Sequence, residues 1–120
     1  MSADLIAHLQ DLSAESGRLT ARAMFGGHGL YLDGLLVGVL IEEGVYLKAD
    51  DETRARFEAA GCAPYVYQGQ QQPITMSYWS VPEEALDSAD TWRIWLRLAQ
   101  EAALRKAAKK PPRRAKKAAR

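Results

Sequence analysis

Few side chains in this 120-residue sequence have the types to start a reaction, and their spacing argues against each. The most conspicuous segment is Phe25-Gly-Gly-His-Gly29, whose glycines could cradle a phosphate. Such a cradle needs the loop to feed a helix N-terminus, where free amides and the helix dipole meet the anion. Here the glycines run into an extended apolar segment and no Lys-Ser/Thr pair follows, so they are expected to bend or bulge a long first strand. His28, in the same segment, could act as a general base only beside a group that orients its ring, and the neighbouring sequence supplies none. His8 sits on a helical flank with Leu5, Leu9 and Leu12 and reads as a boundary residue. Cys62 follows a helix end instead of preceding a helix start, so no dipole lowers its pKa. Two histidines and one cysteine, widely spaced, match no zinc pattern. The acidic groups Glu42-Glu43, Asp50-Asp51-Glu52 and Glu83-Glu84 fall at turns and helix starts, where carboxylates cap amides and meet the positive end of a dipole. The expectation is no catalytic residue, no metal and no cofactor; an enzyme using His28 or Cys62 ranks last among the readings.

Charge is the stronger signal. The net charge of +1 hides an asymmetry: nine of the sixteen basic residues lie in 105–120, namely Arg105, Lys106, Lys109, Lys110, Arg113, Arg114, Lys116, Lys117 and Arg120. That leaves seven basic against fifteen acidic residues before them, so a body at −8 carries a segment at +9. The Ala/Lys/Arg/Pro composition of 105–120 cannot bury a core, and disorder beyond the helix end is expected. Nine cations can displace counterions from phosphates, which implies weak, sequence-blind nucleic-acid contact; folding back onto the acidic body and simple solubilisation are the competing uses. Tyr31, Tyr46, Tyr65, Tyr67, Tyr78 and Trp79 lie in extended segments. An aromatic platform for bases would need interleaved cations, and only Lys48 among the expected strand residues is basic, so these rings are read as sheet packing.

The elements that must carry these groups are legible from periodicity. Leu5, Ile6, Leu9 and Leu12 mark an amphipathic helix over 3–16, with Gly17 as a C-cap candidate. From Thr20 the pattern becomes extended. Asp33-Gly34 is a type I′ hairpin signal between 29–32 and 35–41, and Glu43-Gly44 marks a second turn before 45–48, giving a three-stranded meander. Asp50 and Asp51 are expected to cap a short helix, 51–60, ended by Gly61. Pro64–Tyr67 and Pro73–Ser80 read as two further strands joined by 68–72. A last helix begins after Ser88 or Asp90 and runs to about Ala108, with Trp92, Trp95, Leu96, Ala99 and Ala103 on one stripe and Pro111-Pro112 beyond it. The fold class is α+β, α-β(3)-α-β(2)-α: a five-stranded antiparallel sheet with helices packed mainly on one face. One domain, 1–104, is followed by the basic segment 105–120. Leu35–Ile41 is apolar at both parities, which fits either a homodimer covering its second face or local cover by loops. The lone Cys62, the absence of a signal-peptide pattern and the shortness of every apolar run place the chain in the cytoplasm, with no membrane partner.

Several of these residues together resemble the N-terminal domain family of TfoX (Sxy), regulators of competence genes in bacteria. The resemblance rests on Met24-Phe-Gly-Gly-His-Gly-Leu-Tyr31, Asp33-Gly34, Val45-Tyr-Leu-Lys48, Phe57, Gly61, Pro64 and Tyr67, then Met76-Ser-Tyr-Trp79, Val81-Pro-Glu-Glu84 and Trp95. It spans residues 5 to 104. It implies a fold like that of type III secretion chaperones and a cytoplasmic role in transcriptional control, in which competence regulators act with the cyclic-AMP receptor protein on DNA. It carries over no catalytic residue. The basic segment stands where full-length regulators have a second domain. The expected function is thus a non-enzymatic regulator binding an unidentified protein, with nonspecific DNA contact through 105–120; the alternative is a chaperone-like dimeric binder.

Overall fold

In the computed structural model, residues 2–24, 27–42, 44–67 and 74–109 are described. Helix α1 (Ser2–Leu12) is followed by strands β1 (Leu19–Met24), β2 (Gly27–Leu32), β3 (Leu35–Ile41) and β4 (Gly44–Lys48). Then come helix α2 (Arg54–Ala59), β5 (Pro64–Tyr67), β6 (Ile74–Ser80), a 3-10 turn (Glu83–Leu86) and the long helix α3 (Ala89–Lys109). The strands form one sheet in the order β1-β2-β3-β4-β6-β5, every neighbouring pair antiparallel. The class is α+β as expected, but the sheet has six strands, not five. The difference lies in the extended run that begins near Thr20: expected as one long first strand, it is two strands, β1 and β2, paired antiparallel.

That pairing also corrects the reading of the glycine segment. Met24 pairs with Gly27, so β1 and β2 run antiparallel where a bend or bulge in one long strand was expected. Phe25 and Gly26 lie outside the described residues. A methyl group on Gly27 would collide with the Leu40 carbonyl oxygen, and one on Gly38 would sit 2.6 Å from the Tyr46 carbonyl oxygen. Close backbone approach explains these two glycines without any ligand.

The Asp33-Gly34 turn has φ of 51° and 86° at its two central residues, the backbone a type I′ turn demands. Asp33 also accepts the Arg18 amide at 2.9 Å on its Oδ1, tying the start of β1 to the turn. In β3 the apolar residues at both parities have a local cause. Leu30 pairs with Gly38 while Tyr31 pairs with Leu36, which leaves Val37 as an extra residue and slips the alternation by one. Leu35 before the bulge and Leu40 after it therefore both join the core.

The core lies between one face of the sheet and the helices. Leu30, Leu32, Leu40, Val45, Leu47 and Trp79 supply the sheet side; Leu9 of α1 and Trp92, Leu96, Ala99 and Ala103 of α3 supply the cover. Ser88 starts α3, its carbonyl accepting the Trp92 amide at 2.9 Å. Trp92 is fully buried and donates its indole N–H to the buried Ser13 hydroxyl at 2.8 Å, which joins the end of α1 to α3. Phe57 of α2 packs on Trp95 and Trp79 with centroids 4.9 and 6.2 Å apart.

Candidate functional site

The basic residues at the end of α3 are the natural starting point, and the structure divides them. Helix α3 continues through Lys109, close to the expected end at about Ala108, and so takes in Arg105, Lys106 and Lys109. Arg105 is committed inward: its Nε and Nη2 donate to Asp50 Oδ2 and Oδ1 at 2.7 and 3.1 Å, and Nη1 lies 3.5 Å from Glu52. This paired geometry suits a guanidinium and a carboxylate, and it holds the Asp50 carboxyl down at about 2. Asp50 Oδ1 also accepts the amides of Glu52 and Thr53, both at 3.1 Å. Asp50 thus caps the turn 51–53, and α2 begins only at Arg54, later than the sequence suggested. Lys106 is exposed on the helix. Residues 110–120, with Lys110, Arg113, Arg114, Lys116, Lys117 and Arg120, lie outside the described residues, as does the expectation that they are disordered.

Opposite Arg105, at the end of β4, stands Lys48. It pairs with Tyr78 across the β4–β6 ladder, and only 6% of it is exposed. Its Nζ donates to the Tyr78 hydroxyl at 3.3 Å and lies 4.7 Å from the Tyr78 ring centroid. Among the described residues no carboxylate pairs with it. Burial therefore pushes the Lys48 ammonium below its ordinary pKa and the Tyr78 phenol above its own, the latter opposed by the positive charge of Lys106. Lys48, Arg54, Arg105 and Lys106, with Asp50, Asp51 and Trp79, line an open cleft of about 410 Å³ whose remaining walls include Ala49, Ser77 and Ala102. Arg54 pairs with Asp51 at 3.0 Å, so each carboxylate in the cleft is matched by an arginine, and the two lysines are the surplus.

The tyrosines occupy the sheet face opposite the core, because Tyr31, Tyr46 and Tyr78 each alternate with core residues along their strands. Tyr46 meets Tyr65 edge-on at 5.2 Å. Lys48 is not alone among them as expected: Arg22 of β1 stacks 5.5 Å above the Tyr31 ring.

The three side chains with catalytic potential are not brought together. His28 is on β2 and Cys62 immediately precedes β5, four strand spacings away, or about 19 Å at ~4.8 Å per strand. His8 Nε2 lies 2.6 Å from the Leu86 carbonyl oxygen, joining α1 to the 3-10 turn. Burial pushes the Cys62 thiol up, a hydrogen bond with Ser80 opposes that rise, and Glu84 adds to it; a raised pKa is the reverse of what a nucleophile needs. Among the described residues no cluster of His, Cys, Asp or Glu could hold a metal ion, and no helix is long and apolar enough to cross a membrane.

Sequence reasoning named Arg105 and Lys106 as nucleic-acid contacts but missed the cleft they share with Lys48. Nothing in one sequence ties Arg105 to Asp50, 55 positions earlier. Lys48 carried only its strand parity, which puts it on the face away from Leu47.

Residues 11–103 match the family model described as the TfoX N-terminal domain. A 67-residue stretch is 31% identical to the "DNA transformation protein TfoX1" of Aliivibrio fischeri (strain ATCC 700601 / ES114). That stretch covers 56% of this chain and 32% of the relative, so the similarity spans about a third of the relative's length.

Proposed function

From the premise that this chain belongs to the TfoX N-terminal domain family, we propose that it is a non-enzymatic regulatory protein of the DNA-transformation type, acting in the cytoplasm. Its body would engage a protein partner, and its basic residues would add sequence-blind contact with nucleic acid. The observation that carries this reading is the family match across 11–103, which takes in the whole sheet and most of α3. The separation of His28 from Cys62 supports the absence of catalysis. The relative's designation as a DNA transformation protein supports the process.

The pairing of Arg105 supports a narrower set of cations for that contact. Arg105 is held by Asp50, and moving it to a phosphate would leave that carboxylate unpaired. The contact set is therefore Lys106, Lys109, Lys110, Arg113, Arg114, Lys116, Lys117 and Arg120, with Arg105 withdrawn. The test is duplex-DNA binding by fluorescence anisotropy across a salt series. The full chain is compared with a variant in which Lys110, Arg113, Arg114, Lys116, Lys117 and Arg120 are all replaced by glutamine. Each lost phosphate contact should reduce the slope of log K against log salt by about 0.9. Equal slopes for the two proteins would refute the DNA clause.

A further inference from the structure

We propose that the cleft between β4, the 50–54 turn and the last turns of α3 binds a small phosphate-bearing ligand, with Lys48 and Lys106 as its principal contacts. Three observations carry this. The first is charge balance: the lining holds four cations and two carboxylates, and the carboxylates are already engaged by Arg105 and Arg54. Lys48 and Lys106 remain without a described carboxylate, and even with Glu52, which shares Arg105 from just outside the lining, the site is net positive and suits an anion.

The second is Lys48 itself. A lysine more than nine-tenths buried, with a neutral phenol as its polar contact, costs the fold desolvation energy that no described carboxylate offsets. A methionine there would fill similar space without that cost. A residue that burdens the fold and lines an open cleft has the profile of a ligand group, because such perturbed positions concentrate at binding sites.

The third is size. A cleft of about 410 Å³ falls at the small end of the roughly 300–1,000 Å³ range of small-molecule pockets. It has room for the volume of about fourteen waters at ~30 Å³ each, more than a bare phosphate needs. Trp79 supplies an apolar wall for the rest of the molecule, and Arg54 and Arg105 hold the rim in place through their carboxylates. A phosphate monoester of sugar size suits these dimensions. The site is separate from the DNA contacts proposed above except for Lys106, so either reading can fail alone.

The test is isothermal titration of the full chain, in chloride buffer at constant ionic strength, with inorganic phosphate and with ribose 5-phosphate. Saturable one-to-one binding of ribose 5-phosphate, tighter than that of inorganic phosphate, is the expected result; equal affinities would still support the site and assign it to the free ion. Lys48→Met should weaken binding at least roughly tenfold. Lys106→Ala, at an exposed helix position that should not disturb folding, should do the same, and Lys110→Ala should leave it unchanged. Non-saturable heats, or affinities indifferent to both cleft lysines, would overturn the proposal. Displacement of the ligand by duplex DNA, lost when the 110–120 cations are neutralised, would also overturn it by making the cleft part of a nucleic-acid surface.

Discussion

Along helix α3, the turns from Trp92 to Ala103 and the turn that follows meet opposite environments. The first stretch puts Trp92, Leu96, Ala99 and Ala103 against the sheet with almost no exposure, and its one interior polar contact, the Trp92 indole on Ser13, is fully satisfied. The last stretch puts Arg105 and Lys106 over a cleft whose buried lysine has no described counter-ion. One helix thus serves architecture at one end and presents unbalanced charge at the other. The group whose environment costs the fold stability is Lys48, away from the conspicuous glycine and histidine segment.

The largest effect is expected at the architectural end. Trp92→Ala removes a fully buried indole and orphans the Ser13 hydroxyl, and should cost about 3–5 kcal/mol in urea denaturation. That is a large part of the ~5–15 kcal/mol a domain ordinarily has. A loss below about 1 kcal/mol would mean that the stripe does not hold the core.

A smaller effect sharpens the boundary between the two ends. With the Asp50 carboxyl at about 2 in the folded state, below its unfolded value near 3.9, its contribution is complete above roughly pH 4 and disappears as pH falls toward 2. Asp50→Asn should therefore melt below the wild type at pH 7, by a few degrees at most for a pair still partly open to solvent. The gap should close between about pH 4 and pH 2. A gap that persists unchanged at pH 2 would show that the Arg105 pairing is not its source.

How much of this was legible follows from which interactions are local. The stripe on α3 repeats at helical spacing, so its burial could be read directly; so could the Asp33-Gly34 turn, whose positive φ values only a few residue types accept. The extended run from Thr20 was legible, but not that it folds back on itself as β1 and β2, because that pairing has no local signature; with it went the stacking of Arg22 on Tyr31. The Val37 bulge has no composition of its own, so its consequence, apolar residues at both parities of β3, could be seen without its cause. The cleft was least visible of all. It joins β4, the 50–54 turn and α3, and the pairing of Arg105 with Asp50 exists only once those elements have packed.

On the proposal above, Lys48 is kept for something other than the stability of the fold, which urea denaturation of the wild type and Lys48→Met at pH 7, in chloride buffer free of phosphate, can test. Because the ammonium is buried without a described counter-ion, the variant should match the wild type within about 1 kcal/mol or exceed it. A loss of about 2 kcal/mol or more would show that Lys48 holds the sheet together, and would contradict the account.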